Sequence, residues 1–288
     1  MAQAPHGDDG TRSGVAVDPP VPPGVDPSAP APARLYDYYL GGSNNFEADR
    51  IAAERLRQGL PELSDAAWAN RGFHQRAAGW LADRHVRQFI DIGAGLPTQG
   101  NTHEVAQRAA PDARVVYVDH DPMVLAHAQQ LLGDATSTAF VLADLRDPGS
   151  VLDDPTLREL IDFSEPTGLL MTAVLHFVAD SADPWGLVQR YVAALAPGSY
   201  LVLSHATGDK LPPRAIQAMV KTYENATEKL VLRPRPEVER FFTGLDLVAP
   251  YAGAKPCISF TGQWGAVDPI AADSDGSRVL YCGVARCP

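Results

Sequence analysis

The stretch Phe89-Ile90-Asp91-Ile92-Gly93-Ala94-Gly95-Leu96-Pro97 decides how this chain is read. Gln88 to Asp91 is a short apolar run ending in an acid. A Gly-Ala-Gly turn follows, and Asn101 or Thr102 then caps a helix to about Ala109. Glycines between a strand and a helix let backbone N–H groups approach a ligand closely. A lone GxG is common in turns, so the neighbouring segments must carry the argument.

They repeat the pattern. Arg114 to Asp119 is a β-branched strand that also ends in an acid, and Pro122 opens a helix to about Leu132. Thr138 to Ala143 is a third strand, closed by Asp144. Thr167 to Phe177 reads as a fourth, continuously apolar strand. A helix from Pro184 to Leu195 and a fifth strand from Tyr200 to Ser204 follow. Upstream, residues 48–58 and 64–84 read as helices, the second with Ala67, Trp68, Phe73, Ala77, Ala78 and Leu81 near a 3.6-residue period. Downstream, Pro212 to Lys229 and Glu237 to Phe242 read as helices. Lys255 to Trp264 and Ser277 to Val284 read as a closing β-hairpin.

Strands apolar throughout, separated by helices, mean a parallel sheet covered on both faces. The fold class predicted is α/β: a doubly wound, mostly parallel seven-stranded sheet with a C-terminal antiparallel hairpin. Ligands of such sheets bind beyond the carboxyl ends of the strands. The residues there are Asp91, Gly93, Gly95, Asp119, Asp144, His176 and His205.

The acids discriminate among ligands. Asp119 stands where a carboxylate grips a ribose diol. Asp144 stands where one would accept from an adenine amine. Asp91 sits where a dinucleotide places its pyrophosphate, and a carboxylate repels phosphate. It suits a ligand with an ammonium group and no phosphate, which S-adenosylmethionine is. An NAD-dependent oxidoreductase predicts no acid there. Each aspartate alone also reads as a helix cap or turn former.

Composition bounds the rest. The chain has 288 residues, a net charge of −11 and 45% hydrophobic residues, ordinary for a soluble globular protein. No apolar run reaches the roughly 18–20 residues of a membrane span, and the N-terminus has no secretory h-region. Three cysteines, Cys257, Cys282 and Cys287, without CxxC spacing predict free thiols in a reducing cytoplasm. Acidity argues against phosphate-driven nucleic-acid binding. Residues 1–32 are Pro-rich and read as a disordered tail ahead of one domain over 33–288.

Four motifs, DxGxG, VxYVDxDP, ADLRDP and LAPGS, with an apolar fourth strand ending LHF, resemble the Rossmann-like class I methyltransferase fold in their order. More narrowly, ARLYDYYLGGSNNFEADR (33–50), NRGFHQRAAGWL (70–81), QFIDIGAGLPTQGNTHEVAQ (88–107), ARVVYVDHDPMVLAHAQQLL (113–132), AVLHFVAD (173–180) and PGSYLVLSH (197–205) are similar to an actinobacterial family. That family comprises S-adenosylmethionine-dependent methyltransferases long known only as a domain of unknown function.

The resemblance covers 33–288. It implies S-adenosyl-L-methionine as cofactor, held by Asp91, Gly93, Gly95, Asp119, His120, Asp144, Leu145 and Ala173. It implies no particular acceptor; no (D/N)PP(Y/F) sequence follows the fourth strand, which lowers nucleic acid and leaves a small molecule as the expected acceptor. Two departures stand out. Pro97 replaces the usual third glycine, and Ser43-Asn44-Asn45 replaces a segment where many relatives carry a lysine and an acid.

The segment Arg34 to Phe46 reads either as a packed N-terminal helix capped by Gly41-Gly42 or as part of a lid over 33–85. In the second reading Tyr36 and Asn45 hydrogen-bond the cofactor and Arg71 pairs with its carboxylate. His176 is the candidate general base, with a backbone-bonded structural role as the other reading; His205 has the same two. Histidine spacings give no metal motif. Residues 206–240, rich in Lys and Arg, read as a solvated helix face paired to Glu224, Glu228, Glu237 and Glu239, or as an acceptor-side insertion whose basic patch recognises an anionic small molecule or an acidic partner. A catalytically silent cofactor-binding regulator is the alternative to an enzyme.

Overall fold

The computed structural model describes residues 18–97, 100–132 and 135–288. Three helices come first: α1 (Pro32–Tyr39), α2 (Glu47–Gly59) and α3 (Leu63–Ala82). The alternating region follows, with β1 (Gln88–Ile92), α4 (Thr102–Ala109), β2 (Arg114–Asp119), α5 (Pro122–Leu132) and β3 (Thr138–Leu142). Next come α6 (Pro148–Leu152), α7 (Pro155–Leu160), β4 (Thr167–Thr172), α8 (Pro184–Ala193) and β5 (Tyr200–Ala206). The chain closes with α9 (Pro213–Glu224), α10 (Arg235–Glu239), β6 (Asp246–Leu247), β7 (Ser259–Phe260) and β8 (Leu280–Arg286).

The sheet order is β3-β2-β1-β4-β5-β8-β6, with β7 also on β8. β1 to β5 are parallel, and β8 is antiparallel to β5, β6 and β7. The α/β class and mostly parallel sheet predicted from the sequence are therefore present, with eight strands where seven were expected. Successive strand residues point to opposite faces. Ile90, Val116, Leu169 and Leu201 join one core cluster, and Phe89, Val115, Leu170 and Val202 the other. Both faces are buried, which is why these strands are apolar throughout. A third cluster lies beneath α1, α2, the first turns of α3, and α9, where Leu35, Leu56, Leu63 and Met219 meet.

Several boundaries differ from the sequence reading. β4 stops at Thr172, not Phe177, because Ala173 turns to φ +55°. Its N–H donates to Ser204 Oγ at 2.9 Å, and a 3₁₀ turn occupies Leu175–Phe177. An apolar run cannot distinguish a strand from a buried turn. The closing hairpin is reduced to a two-residue β7 against a long β8, because the loop between them folds into turns. The short helices α6 and α7 begin at Pro148 and Pro155, each capped by the preceding Asp, and had no periodicity long enough to register.

Trp68, expected on the buried face of α3, is exposed. Within the Pro-rich segment, residues 18–31 are held by contacts that composition did not predict. Arg34, buried, donates to Asp26 O and Ala29 O, and Arg50 pairs with Asp18 at 2.6 Å. Residues 1–17 of that segment lie outside the described residues. No described helix is long and apolar enough to cross a membrane.

Candidate functional site

One cavity runs along the carboxyl ends of β1 to β5, under α1 and α3 and beside α9. It collects most of the residues singled out from the sequence: Tyr36, Arg71, Asp91, Gly93, Gly95, Asp119, His120, Asp144, Leu145, Ala173 and His176. Asn45 does not line it. Its side-chain amide donates to Asp37 Oδ2 and Gly42 O, so it fixes the turn after α1 instead. The short Asn side chain is consumed by its own loop.

Asp91 is the penultimate residue of β1 and is almost fully buried. Burial pushes its carboxyl up to about 6. It accepts the Thr102 hydroxyl at 2.6 Å, and His74 Nε2 lies 2.7 Å from the same hydroxyl oxygen. Thr102 has spent its one hydrogen on Asp91, so His74 Nε2 must be the donor. His74 Nδ1 then accepts from Thr172 at 2.9 Å. Burial holds His74 neutral, at about 3. This relay ties α3, α4 and β4 to the acid, and the sequence reading missed it. The available signal was His74 one helical turn beyond Asn70 and Arg71.

Asp119 ends β2. Its two oxygens accept Gly95 N–H at 2.9 Å and Asp121 N–H at 3.0 Å, while burial raises its pKa. Each oxygen keeps a lone pair for another donor. Gly93 and Gly95 have φ of +71° and +64°, where a side chain is strained. A Cβ at Gly93 would run into Val174, whereas one at Gly95 would meet nothing within 4 Å. The space in front of Gly95 is therefore open to a ligand. Pro97, in place of the third glycine, lies past this contact.

Charges cluster where β2 and β3 end. Glu228, from the segment after α9, sits 3.3 Å from His120 Nε2 and 3.2 Å from Arg146, which also holds Asp144 at 2.7 Å. The Glu228 hydrogen bond raises the pKa of His120 against the effect of burial. For Asp144, burial opposes the charge, but the Arg146 hydrogen bonds outweigh it and lower the pKa.

The roof is bonded to the sheet. Asn70 donates to Tyr36 Oη at 2.9 Å, and Ser204 donates to Asn70 Oδ1 at 2.6 Å. Ser204 Oγ also accepts Ala173 N–H. This chain links α1, α3 and β5 to the strained end of β4. Arg71 lines the cavity and donates to Gly100 O and Asn101 Oδ1, beside Asp91.

His176 is not built as a general base. Its Nδ1 accepts Ala206 N–H at 3.2 Å, which leaves the proton on Nε2, and burial with Arg233 nearby depresses it to about 3. His205 donates from Nδ1 to Ala206 O and accepts Arg233 at Nε2, 2.7 Å away. Arg233, expected on a solvated face, is 2% exposed. It donates to Leu175 O and Val178 O and pairs with Asp180, clamping the turn after β4. Arg235 and Arg240 do pair with local glutamates, Glu239 and Glu237.

Comparison with known proteins gives the same picture. No curated protein matches the chain. A DUF574 family protein from Streptomyces avermitilis is 38% identical, with a TM-score of 0.85 over 91% of this chain and 99% of that one. A protein of Thermobifida fusca described as a candidate methyltransferase is 40% identical, with a TM-score of 0.84 over 92% of this chain and 97% of its own. The S-adenosyl methyltransferase family model matches residues 20–288. With three strand-end acids converging on one cavity and a family match along nearly its whole length, this chain belongs to the S-adenosyl methyltransferase family and is an S-adenosylmethionine-dependent enzyme.

Proposed function

We propose that the enzyme methylates a small molecule, with the cofactor held over β1, β2 and β3. The observation that carries this reading is the placement of Asp91, Asp119 and Asp144 at three adjacent strand ends along one cavity.

The residues fit S-adenosyl-L-methionine. Asp91 is a buried carboxylate whose nearest partners are neutral, so it favours a cationic ammonium. Arg71 lies beside it for a carboxylate. Asp119 keeps lone pairs for a ribose diol, and Ala143 and Leu145 offer apolar surface for an adenine. When bound, the cofactor supplies a sulfonium methyl carbon, which an acceptor lone pair takes as the carbon–sulfur bond breaks and its electron pair stays on sulfur. The chain's own part is alignment and exclusion of water beneath α1 to α3. His176 accepts the Ala206 N–H at Nδ1, which leaves its neutral proton on Nε2.

Calorimetry with S-adenosylmethionine and S-adenosylhomocysteine tests the reading. Micromolar binding is expected, weakened at least tenfold, about 1.4 kcal/mol, by Asp119→Ala. Absence of binding by the unsubstituted protein to either ligand overturns it.

A further inference from the structure

A relay of hydrogen bonds runs from the end of β4 to the end of β1. Thr172 donates to His74 Nδ1 at 2.9 Å, His74 Nε2 donates to Thr102 Oγ1 at 2.7 Å, and Thr102 donates to Asp91 Oδ2 at 2.6 Å. Every hydrogen in it points toward the carboxylate. Thr172, His74 and Asp91 all line the cavity, while Thr102 is sealed behind them.

The relay makes the two oxygens of Asp91 different. Oδ2 takes the Thr102 hydrogen. Oδ1 takes no hydrogen bond among the described residues. It is not one of the sealed, unpaired atoms of the interior either, so it keeps accessible surface. Because Asp91 borders the cavity, a ligand there reaches this oxygen.

His74 is what directs the relay. A threonine hydroxyl has one hydrogen and can aim it in several directions. With His74 donating into its oxygen, the Thr102 hydrogen is left to point at Asp91, and bonds aligned head to tail polarise one another. Both ring nitrogens are used, one as acceptor and one as donor, which fixes the ring and its tautomer. Burial keeps the ring neutral. A cationic side chain at this position would pair with Asp91 itself and displace a cationic ligand.

We propose that His74 is a positioning residue for the cofactor: through Thr102 it orients the Asp91 carboxylate so that Oδ1 meets the ammonium group of the cofactor's amino-acid end. The proposal rests on the reading that Asp91 holds that ammonium.

The test compares two ligands by calorimetry at neutral pH: S-adenosylhomocysteine, and its desamino analogue, which has hydrogen in place of the amino group. The unsubstituted protein should prefer the first. His74→Phe should weaken S-adenosylhomocysteine about fivefold, the size of one hydrogen bond, and leave the desamino analogue unchanged. His74→Gln, whose amide can donate to Thr102, should recover most of the loss. Nitrogen NMR of the S-adenosylhomocysteine complex should find the His74 proton on Nε2. Thermal melting checks folding, and Thr102→Val, which breaks the relay one step nearer Asp91, gives the same comparison if His74→Phe does not fold. Equal weakening of both ligands, or of neither, overturns the proposal and leaves the Asp91 reading standing. A proton on Nδ1 in the complex also overturns it. If the unsubstituted protein binds both ligands equally well, the Asp91 reading falls and takes the proposal with it.

Discussion

The carboxylate of Asp119 accepts the backbone N–H of Gly95 at 2.9 Å. An acid at the end of β2 thus shapes the glycine loop after β1, before any ligand arrives. The second oxygen does the same for Asp121. Asp119 is therefore both a candidate ligand-binding residue and the acceptor that sets the neighbouring turn.

Asp119→Asn should fail on both counts. An amide presents donors where one of these two N–H groups needs an acceptor, leaving it unsatisfied at a cost of about 1–3 kcal/mol. Chemical denaturation should show that loss in the ligand-free protein. A variant as stable as the original would remove the structural half of the role.

Asp91 should trade stability for binding. Burial raises its pKa from 3.8 to about 6, so the folded state binds its proton more tightly than the unfolded chain. Its stabilising contribution is complete below about pH 3.8 and is lost as pH rises through about 6. Asp91→Asn keeps an acceptor for Thr102 and carries no charge. Above pH 7 it should be about 1–3 kcal/mol more stable than the unsubstituted protein, with the difference vanishing near pH 4. Its affinity for S-adenosylmethionine should fall. Melting curves across pH, with calorimetry at pH 7.5, check both.

Glu228→Gln probes the charge cluster at the mouth. The pKa of His120 is raised by Glu228, so its contribution is full below about pH 6.5 and disappears as pH rises through the raised value. The pKa of Glu228 is lowered chiefly by the same hydrogen bond, so its share is present above the usual carboxylate range and is lost in acid. The stability gap between the original and Glu228→Gln should therefore be widest in the mildly acidic window between these limits. It should narrow toward alkaline pH as the Arg146 pair alone remains. His120 is about half exposed, so the gap should stay below about 1 kcal/mol. A gap that widens steadily to pH 9 would contradict this account.

Arg233→Ala should be severe. It strips the donors from Leu175 O and Val178 O and leaves His205 Nε2 without a partner. Each buried acceptor left unsatisfied costs about 1–3 kcal/mol, whereas Asp180, 65% exposed, is left to water. His176→Asn, by contrast, keeps an acceptor for Ala206 N–H and should fold. In a working assay its pH–rate profile should show the same breaks as the unsubstituted enzyme. A break near neutrality that disappears in His176→Asn would restore histidine as a base.

The sequence alone determined the alternating α/β plan and the line of strand-end acids. Strands buried on both faces must be apolar along their length, and the polar residue that ends each one is conspicuous against that background. It also carried the family, because Asp91-Ile-Gly-Ala-Gly95 and its companion motifs recur in order. Tertiary structure decided the rest, because side-chain partners come from distant parts of the chain. Asn45 bonds its own turn and leaves the cavity. Arg233 looks like a surface charge until β5 and the turn after β4 close around it. His176 reads as a base until Ala206 N–H, thirty residues on, occupies its lone pair. Periodicity reports which face a residue occupies, but hydrogen-bond partners and desolvation depend on contacts that no local pattern encodes.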